Sequence, residues 1–273
     1  MFDPSLLPAG LLPSGDPEAA AIEDAGLNAS QPPQQLLIDG WLLRFNPGKA
    51  KRARSVNALA PGRRPLAAKV DEALAWYRES GLPCLFRITP FSQPPELDRY
   101  LGQQRFSAGD ESRVMTLPLD AMRLDPPHAD ARVLEVDPHT FAHHVGALRE
   151  STPAQIDAHA RRLLAAALER STSRLVALHP VSGLPLAAGQ CVRQRHLAGI
   201  YDVITEPGHR RLGLASALVL TMLRHAAARG ARVAYLQVDA ANEPARRLYA
   251  RLGFADRYAY WYRAAPGADA ITP

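Results

Sequence analysis

Cysteine is almost missing. Only Cys84 and Cys191 occur in 273 residues, far apart and without C-x-x-C spacing. Neither a disulfide scaffold nor a zinc site is expected, and a reducing, cytoplasmic setting suits the composition. No apolar run approaches the roughly 20 residues that cross a bilayer. The start, Met1-Phe2-Asp3-Pro4, has neither the basic lead nor the apolar stretch of a secretory signal. Charge of one sign is also lacking: 32 Lys and Arg stand against 27 Asp and Glu, a formal net charge of +5. That balance suits an anionic ligand but is too mild to indicate nucleic acid, and the arginines are spread along the whole chain. His139, His143 and His144 are the densest histidines, yet the last two are neighbours on a predicted helix and cannot share one ion. They are read as solvated or partly packed, and no metal is expected. What the chain does have is 47% apolar residues, enough for a core in each of the two domains that its length suggests.

Residues 1–34 carry prolines at 4, 8, 13, 17, 32 and 33, so a loosely ordered arm is expected, with a short helix at 17–25. From Leu36 the pattern changes. Two apolar runs flank Asp39-Gly40, a two-residue hairpin signal. A third strand is expected at 54–59, a helix at 66–79, a strand at 85–88, a helix at 95–103 and a strand at 113–119. Consecutive prolines at 126 and 127 mark a linker over 124–130. The second half, 131–273, predicts a strand at 131–136, helices at 138–149 and 153–170, and strands at 174–179, 186–194 and 197–205. A helix at 212–229, a strand at 233–238, a helix at 242–252 and a strand at 257–263 close the chain. This order implies an α/β mixed sheet flanked by helices.

A weak internal repeat links the halves. Gly81 to Phe86 lines up with Gly230 to Tyr235, and the path from Leu97 to Phe106 follows that from Ala245 to Phe254. The pattern suggests one architecture used twice.

Chemistry concentrates in 201–216. An extended run ends at Pro207, a short basic turn follows, and a helix begins near Gly213 with Ala215, Leu218, Val219, Met222, Leu223 and Ala226 on one face. A helix start offers free N–H groups and a positive dipole end, the elements that hold a diphosphate. Gly213 lets the backbone approach without a side chain, and Arg210 and Arg211 add charge. Asn242 before Glu243-Pro244 is a good N-cap, and Tyr249, two turns on, shares its face.

These segments resemble the GNAT superfamily of N-acetyltransferases. Arg210-Arg211-Leu212-Gly213-Leu214-Ala215 is similar to its R/Q-x-x-G-x-G/A signature, and Ala245 to Phe254 is similar to its A-x-x-L-Y-x-x-x-G-F segment. The whole chain resembles bacterial proteins with a degenerate GNAT-like half, here 35–123, followed by a complete one at 131–273. The resemblance implies acetyl-CoA as cosubstrate, with Arg210, Arg211, Leu212, Gly213, Leu214 and Ala215 at the diphosphate. It implies Val203, Ile204 and Thr205 along the pantetheine arm, and Asn242 as a further contact. Tyr249 becomes the proton donor to the departing thiolate, and a backbone N–H near Thr205 the donor to the oxyanion. The acceptor would be a small-molecule or peptide primary amine.

The pattern departs from the family at the general base. Many relatives use a Glu on the strand before the phosphate loop, and 186–194 has no acid. Asp202, Glu206 and Asp239 are the nearest carboxylates, and none is assigned. In the first half Arg64-Pro65 takes the place of Gly213, so no CoA is expected there, and this half is expected to cover or shape the acceptor site. Two other readings compete. One is a non-catalytic acyl-CoA-binding regulatory protein. The other, less favoured, is a nucleic-acid binder using Lys49, Lys51, Arg52 and Arg54 with Arg44, Arg63 and Arg64. The oligomeric state is not legible.

Overall fold

The computed structural model describes residues 2–11, 15–48, 50–122, 131–166 and 171–267, so the linker expected at 124–130 lies outside the described residues. Helix α1 spans Pro17–Asn28, longer than expected. Asp16 caps it by accepting the N–H groups of Glu18 and Ala19 at 3.1 Å, with Pro17 at the first turn. Ala19, Ile22 and Ala25, three apart, are buried against the sheet, so this part of the arm is packed rather than loose. Burying a side chain such as Ile22 is worth about 1.5–3 kcal/mol, and Ala19, Ala25 and Leu27 are buried with it.

Strands β1 (Gln34–Ile38) and β2 (Trp41–Phe45) form the expected hairpin. Its turn residues Asp39 and Gly40 both have positive φ, +43° and +86°, as the tight turn between twisted strands requires. Then come β3 (Val56–Ala58), α2 (Leu66–Glu79), β4 (Leu85–Ile88), α3 (Leu97–Gln103) and β5 (Ser107–Pro118). The second half supplies β6 (Arg132–Glu135), α4 (Pro138–Leu148), α5 (Pro153–Leu164), β7 (Thr172–Leu178), β8 (Pro185–Gln194) and β9 (Leu197–Thr205). It ends with α6 (Leu214–Ala228), β10 (Val233–Asp239), α7 (Glu243–Arg251) and β11 (Ala255–Ala264). The expected helix at 153–170 stops at Leu164, and 167–170 lie outside the described residues. Strand β5 starts six residues before the expected 113–119, because Ser107, Ala108 and Gly109 pair with the end of β11.

The eleven strands of the described residues join one sheet, in the order β1-β2-β3-β4-β11-β5-β10-β9-β8-β7-β6. Read outward from the central β11–β5 pair, both directions give the same senses. An antiparallel neighbour (β4 or β10) is followed by a parallel one (β3 or β9), then two antiparallel ones, and the second half adds β6 antiparallel to β7 at its edge. The offset that carries Ser107 onto Ala255 carries Thr116 onto Ala264, and the sheet pairs Ala255 with Thr116 and Ala264 with Ser107. A twofold relation between the halves therefore passes through this strand pair. The last strand of each half is exchanged: β5 lies beside β10, and β11 beside β4.

Alternation along the strands sorts the helices onto two faces. Leu175 and Ala177 pack with α6, whereas Val176 between them packs with α4 and α5. Trp261 meets the cluster of α2 and α3, whereas Tyr260 and Tyr262 meet α1. Thus α2, α3, α6 and α7 cover one face, and α1, α4 and α5 the other. Among the described residues no helix is long and apolar enough to cross a membrane.

Candidate active site

Strands β9 and β10 pair in parallel only from Leu197 to Ile200, against Val233 to Leu236. Beyond that they part, while β9 stays paired with β8 as far as Thr205. The cause is local. Ala188 faces Ile204 but Gln190 faces Tyr201, so β9 holds one extra residue at Asp202, whose φ is +52°. Such a bulge bends a strand and increases its twist. Val203, Ile204 and Thr205 follow it, on an edge that no strand among the described residues pairs on the β10 side.

The chain then makes a tight turn at Pro207–His209 and enters α6. Arg211 (φ +64°) and Gly213 (φ +82°) are both left-handed, and Gly213 is the N-cap of α6 without any side-chain cap. The first amides of the helix, those of Leu214, Ala215 and Ser216, therefore point out of the helix start with no side chain among the described residues to receive them. Arg210, Arg211 and Leu212 are exposed around them. The buried row Leu218, Val219, Met222 and Leu223 anchors the helix on the sheet, so this positive end is fixed in direction. The carboxylate nearest in sequence, Glu206, is bonded to His209 Nδ1 at 2.6 Å. That bond and the N–H of Gly208 hold it below the usual glutamate range. The arrangement favours a bound anion.

Asn242 caps α7, its Oδ1 accepting the N–H of Ala245 at 3.2 Å. Tyr249 lies on the same helix face, 8% exposed, with its ring edge-on to Phe254 at 5.9 Å. Its hydroxyl has no hydrogen-bond partner among the described residues, unlike the buried hydroxyl of Tyr77, which donates to the Arg44 carbonyl at 2.8 Å. Burial pushes the Tyr249 phenol up to about 12, so the group keeps its proton at neutral pH.

The gap between β9 and β10 opens a pocket through the sheet. Tyr249 lines it from the α7 side, and Arg52, Gln190, Tyr201, Asp202 and Gln237 line it with the end of α1. Asp202 is heavily engaged: Arg149 Nη2 stands 2.9 Å from Oδ1, and Gln190 Nε2 donates to Oδ2 at 2.7 Å. His159 Nε2 stands 3.6 Å from Oδ2, too long for a hydrogen bond. Burial would raise the Asp202 carboxyl, but His159, Arg149 and Arg162 outweigh it and hold the group far below the usual carboxylate range. A carboxylate so stabilised in its charged form is a weak proton acceptor. Asp239 caps the turn after β10, taking the N–H of Ala241 at 2.8 Å.

The basic run of the first half does not form one charged face. Arg44 and Arg54 are buried, Lys51 pairs with Asp110 and Arg64 with Glu72. Lys49 lies outside the described residues. Arg52 instead turns inward over the Tyr201 ring, 5.6 Å from its centroid. The sequence did not place Arg52, Gln190, Tyr201 and Gln237 together at one pocket. Gln237 did carry a signal, as a polar position between Leu236 and Val238 in an apolar strand.

A mixed sheet with diverging parallel strands, and a glycine-capped helix after them, defines the GNAT fold class. Residues 134–254 match the acetyltransferase (GNAT) family, and this part of the chain is a GNAT acetyltransferase domain. An uncharacterised N-acetyltransferase from Methanocaldococcus jannaschii is 30% identical over 84 residues, a stretch that spans 28% of this chain and 37% of that relative. Among solved structures, a GCN5-related N-acetyltransferase from Kribbella flavida aligns over 92% of this chain and 95% of its own, with a TM-score of 0.64 and 13% identity. A tandem GNAT protein from the clavulanic acid biosynthesis pathway aligns over 74% and 71%, with a TM-score of 0.59 and 19% identity. At such identities the likeness is one of fold. The large mixed sheet flanked by helices agrees with the expectation from sequence.

Proposed function

We propose that this chain is an N-acetyltransferase that moves an acetyl group from acetyl-CoA to a primary amine by direct attack, with both substrates bound together. The observation that carries this reading is the uncapped, arginine-flanked start of α6 beside a strand gap that exposes an unpartnered Tyr249 hydroxyl. The diphosphate of the carrier fits the amides at 212–216 with Arg210 and Arg211. The pantetheine arm fits the open edge at Val203, Ile204 and Thr205, with Asn242 at the far side. The bound thioester supplies an activated acetyl carbon. Tyr249 holds a proton at its hydroxyl for the leaving sulfur. Asp202, ionised and already engaged by Arg149 and Gln190, is a weak base at the pocket wall.

Residues 131–273 form the catalytic unit in this proposal, and 35–123 a degenerate copy without a phosphate loop. The first half serves the acceptor side, since Arg52 and the end of α1 line the pocket. A cytoplasmic setting belongs to the same reading. Calorimetry with acetyl-CoA, followed by thiol release in the presence of an amine panel, tests it. Absence of binding heat, together with no effect of Arg210→Glu/Arg211→Glu, removes it.

A further inference from the structure

The pocket at the strand gap contains hydrogen-bond donors that no described residue satisfies. Nε and Nη1 of Arg52 and Nε2 of Gln237 are closed off from solvent and have no acceptor among the described residues. Their orientation is set by neighbours. Tyr260 donates to Gln237 Oε1 at 3.0 Å, which leaves the Gln237 amide nitrogen turned the other way. The Tyr201 ring supports the Arg52 guanidinium, and Tyr201 is itself tied to Tyr235 by a 2.7 Å bond between their hydroxyls. Both donors converge beside helix α1. A Cβ built on Gly26 would lie 3.0 Å from Gln237 Nε2 and 3.6 Å from Arg52 Nη1.

The nearby carboxylates are committed elsewhere. Glu23 is engaged by both terminal nitrogens of Arg87 and by the Tyr258 hydroxyl. Asp202 is engaged by Arg149 and Gln190. A desolvated guanidinium and amide without acceptors are costly groups to keep in a protein interior. Arg52 Nη1 and Gln237 Nε2, which meet beside Gly26, each offer an N–H, and the two oxygens of one carboxylate can accept one from each.

We propose that the acceptor is an amine that also carries a carboxylate, an amino-acid type of substrate, with the carboxylate held by Arg52 and Gln237. This rests on the transferase reading above. It assigns opposite ends of the pocket: the amine toward Tyr249, the carboxylate toward the turn that carries Arg52 and the end of α1. It also gives the first half a task in selecting the acceptor.

The test uses the full chain with acetyl-CoA and the proteinogenic amino acids, each beside its carboxamide and its decarboxylated amine, plus phosphoethanolamine. Thiol release is followed, and acetyl-CoA affinity is measured separately by calorimetry. At least one amino acid is expected to exceed its carboxamide by tenfold or more in kcat/KM. Arg52→Gln is expected to erase that preference, chiefly through KM, with acetyl-CoA affinity within about twofold of wild type. Should Arg52→Gln fold poorly, Gln237→Leu and Arg52→Lys are expected to weaken the same preference. Binding of acetyl-CoA with turnover of uncharged amines as fast as their carboxylates overturns this proposal and leaves the transferase reading standing. Preference for phosphoethanolamine, or no turnover of any amino acid while acetyl-CoA binds, overturns it equally. Failure to bind acetyl-CoA at all removes the transferase reading instead.

Discussion

The carboxylate of Asp39 accepts a 2.9 Å hydrogen bond from the backbone N–H of Arg64, and it also takes the N–H of Arg63. In the twofold sheet, α2 follows β3 as α6 follows β9, so residues 63–64 stand where the loop before α6 stands in the other half. There the amides already face an anion supplied by the chain, and the Lys69 ammonium lies 3.7 Å from the same carboxylate. A titration with CoA is therefore expected to give one site per chain. Asp39→Asn is expected to keep that stoichiometry while lowering Tm. A second site in the unaltered protein contradicts this account.

Replacing Tyr249 with Phe removes the hydroxyl and keeps the ring contact with Phe254. Turnover is expected to fall by about 10²–10⁴-fold, the usual contribution of a positioned proton donor. CoA affinity should stay within about twofold. Equal turnover in the two proteins would assign Tyr249 a packing role only.

The loop before α6 depends on Gly213 at φ +82°. A branched side chain there is strained by about 1–3 kcal/mol, so Gly213→Val is expected to weaken acetyl-CoA binding by tenfold or more while far-ultraviolet dichroism is retained. Arg211→Glu is expected to weaken it too, by an amount that shrinks as salt rises, because exposed charges are screened. Unchanged dissociation constants in both variants would count against the diphosphate site.

Glu23 and Arg87 form a buried pair with Tyr258, and Arg87 also lies over the Tyr260 ring at 3.9 Å. Burial works to raise the Glu23 carboxyl, but Arg87 outweighs it and the group sits below the usual glutamate range. Its stabilising effect is therefore present above about pH 4 and lost as pH falls through the lower folded value. Glu23→Ala leaves a buried cation alone and is expected to cost about 3–5 kcal/mol. Glu23→Gln is expected to show a shallower loss of Tm between about pH 5 and pH 3 than the unaltered protein. Parallel curves would show that the pair does not titrate in this range.

Much of this was legible because it is local. The boundaries of α2, β4 and β9 follow from apolar spacing at 66–79, 85–88 and 197–205, and the Asp39-Gly40 turn from its residue types. The loop at 210–215 and the Asn242–Tyr249 spacing were readable from backbone rules alone. Arg52 was not. In sequence it belongs to a basic run that looks solvated, and only the packing of that turn against β9 sends its guanidinium to Tyr201. Helix α1 was also underestimated, because its prolines mark breaks but not what the residues between them pack against.

By itself, the sequence determined which segments become helices and strands, where a helix start is left open to an anion, and that the two halves repeat one pattern. These are properties of neighbours within a few residues, where propensity, capping and periodicity act. Only the tertiary structure decided that β5 and β11 change places, that Asp39 occupies the loop of the first half, and that Arg52 and Gln237 meet beside Gly26. Those choices join residues far apart in the chain. They are made by how side chains fill the two faces of one continuous sheet, a property that no short stretch of sequence carries.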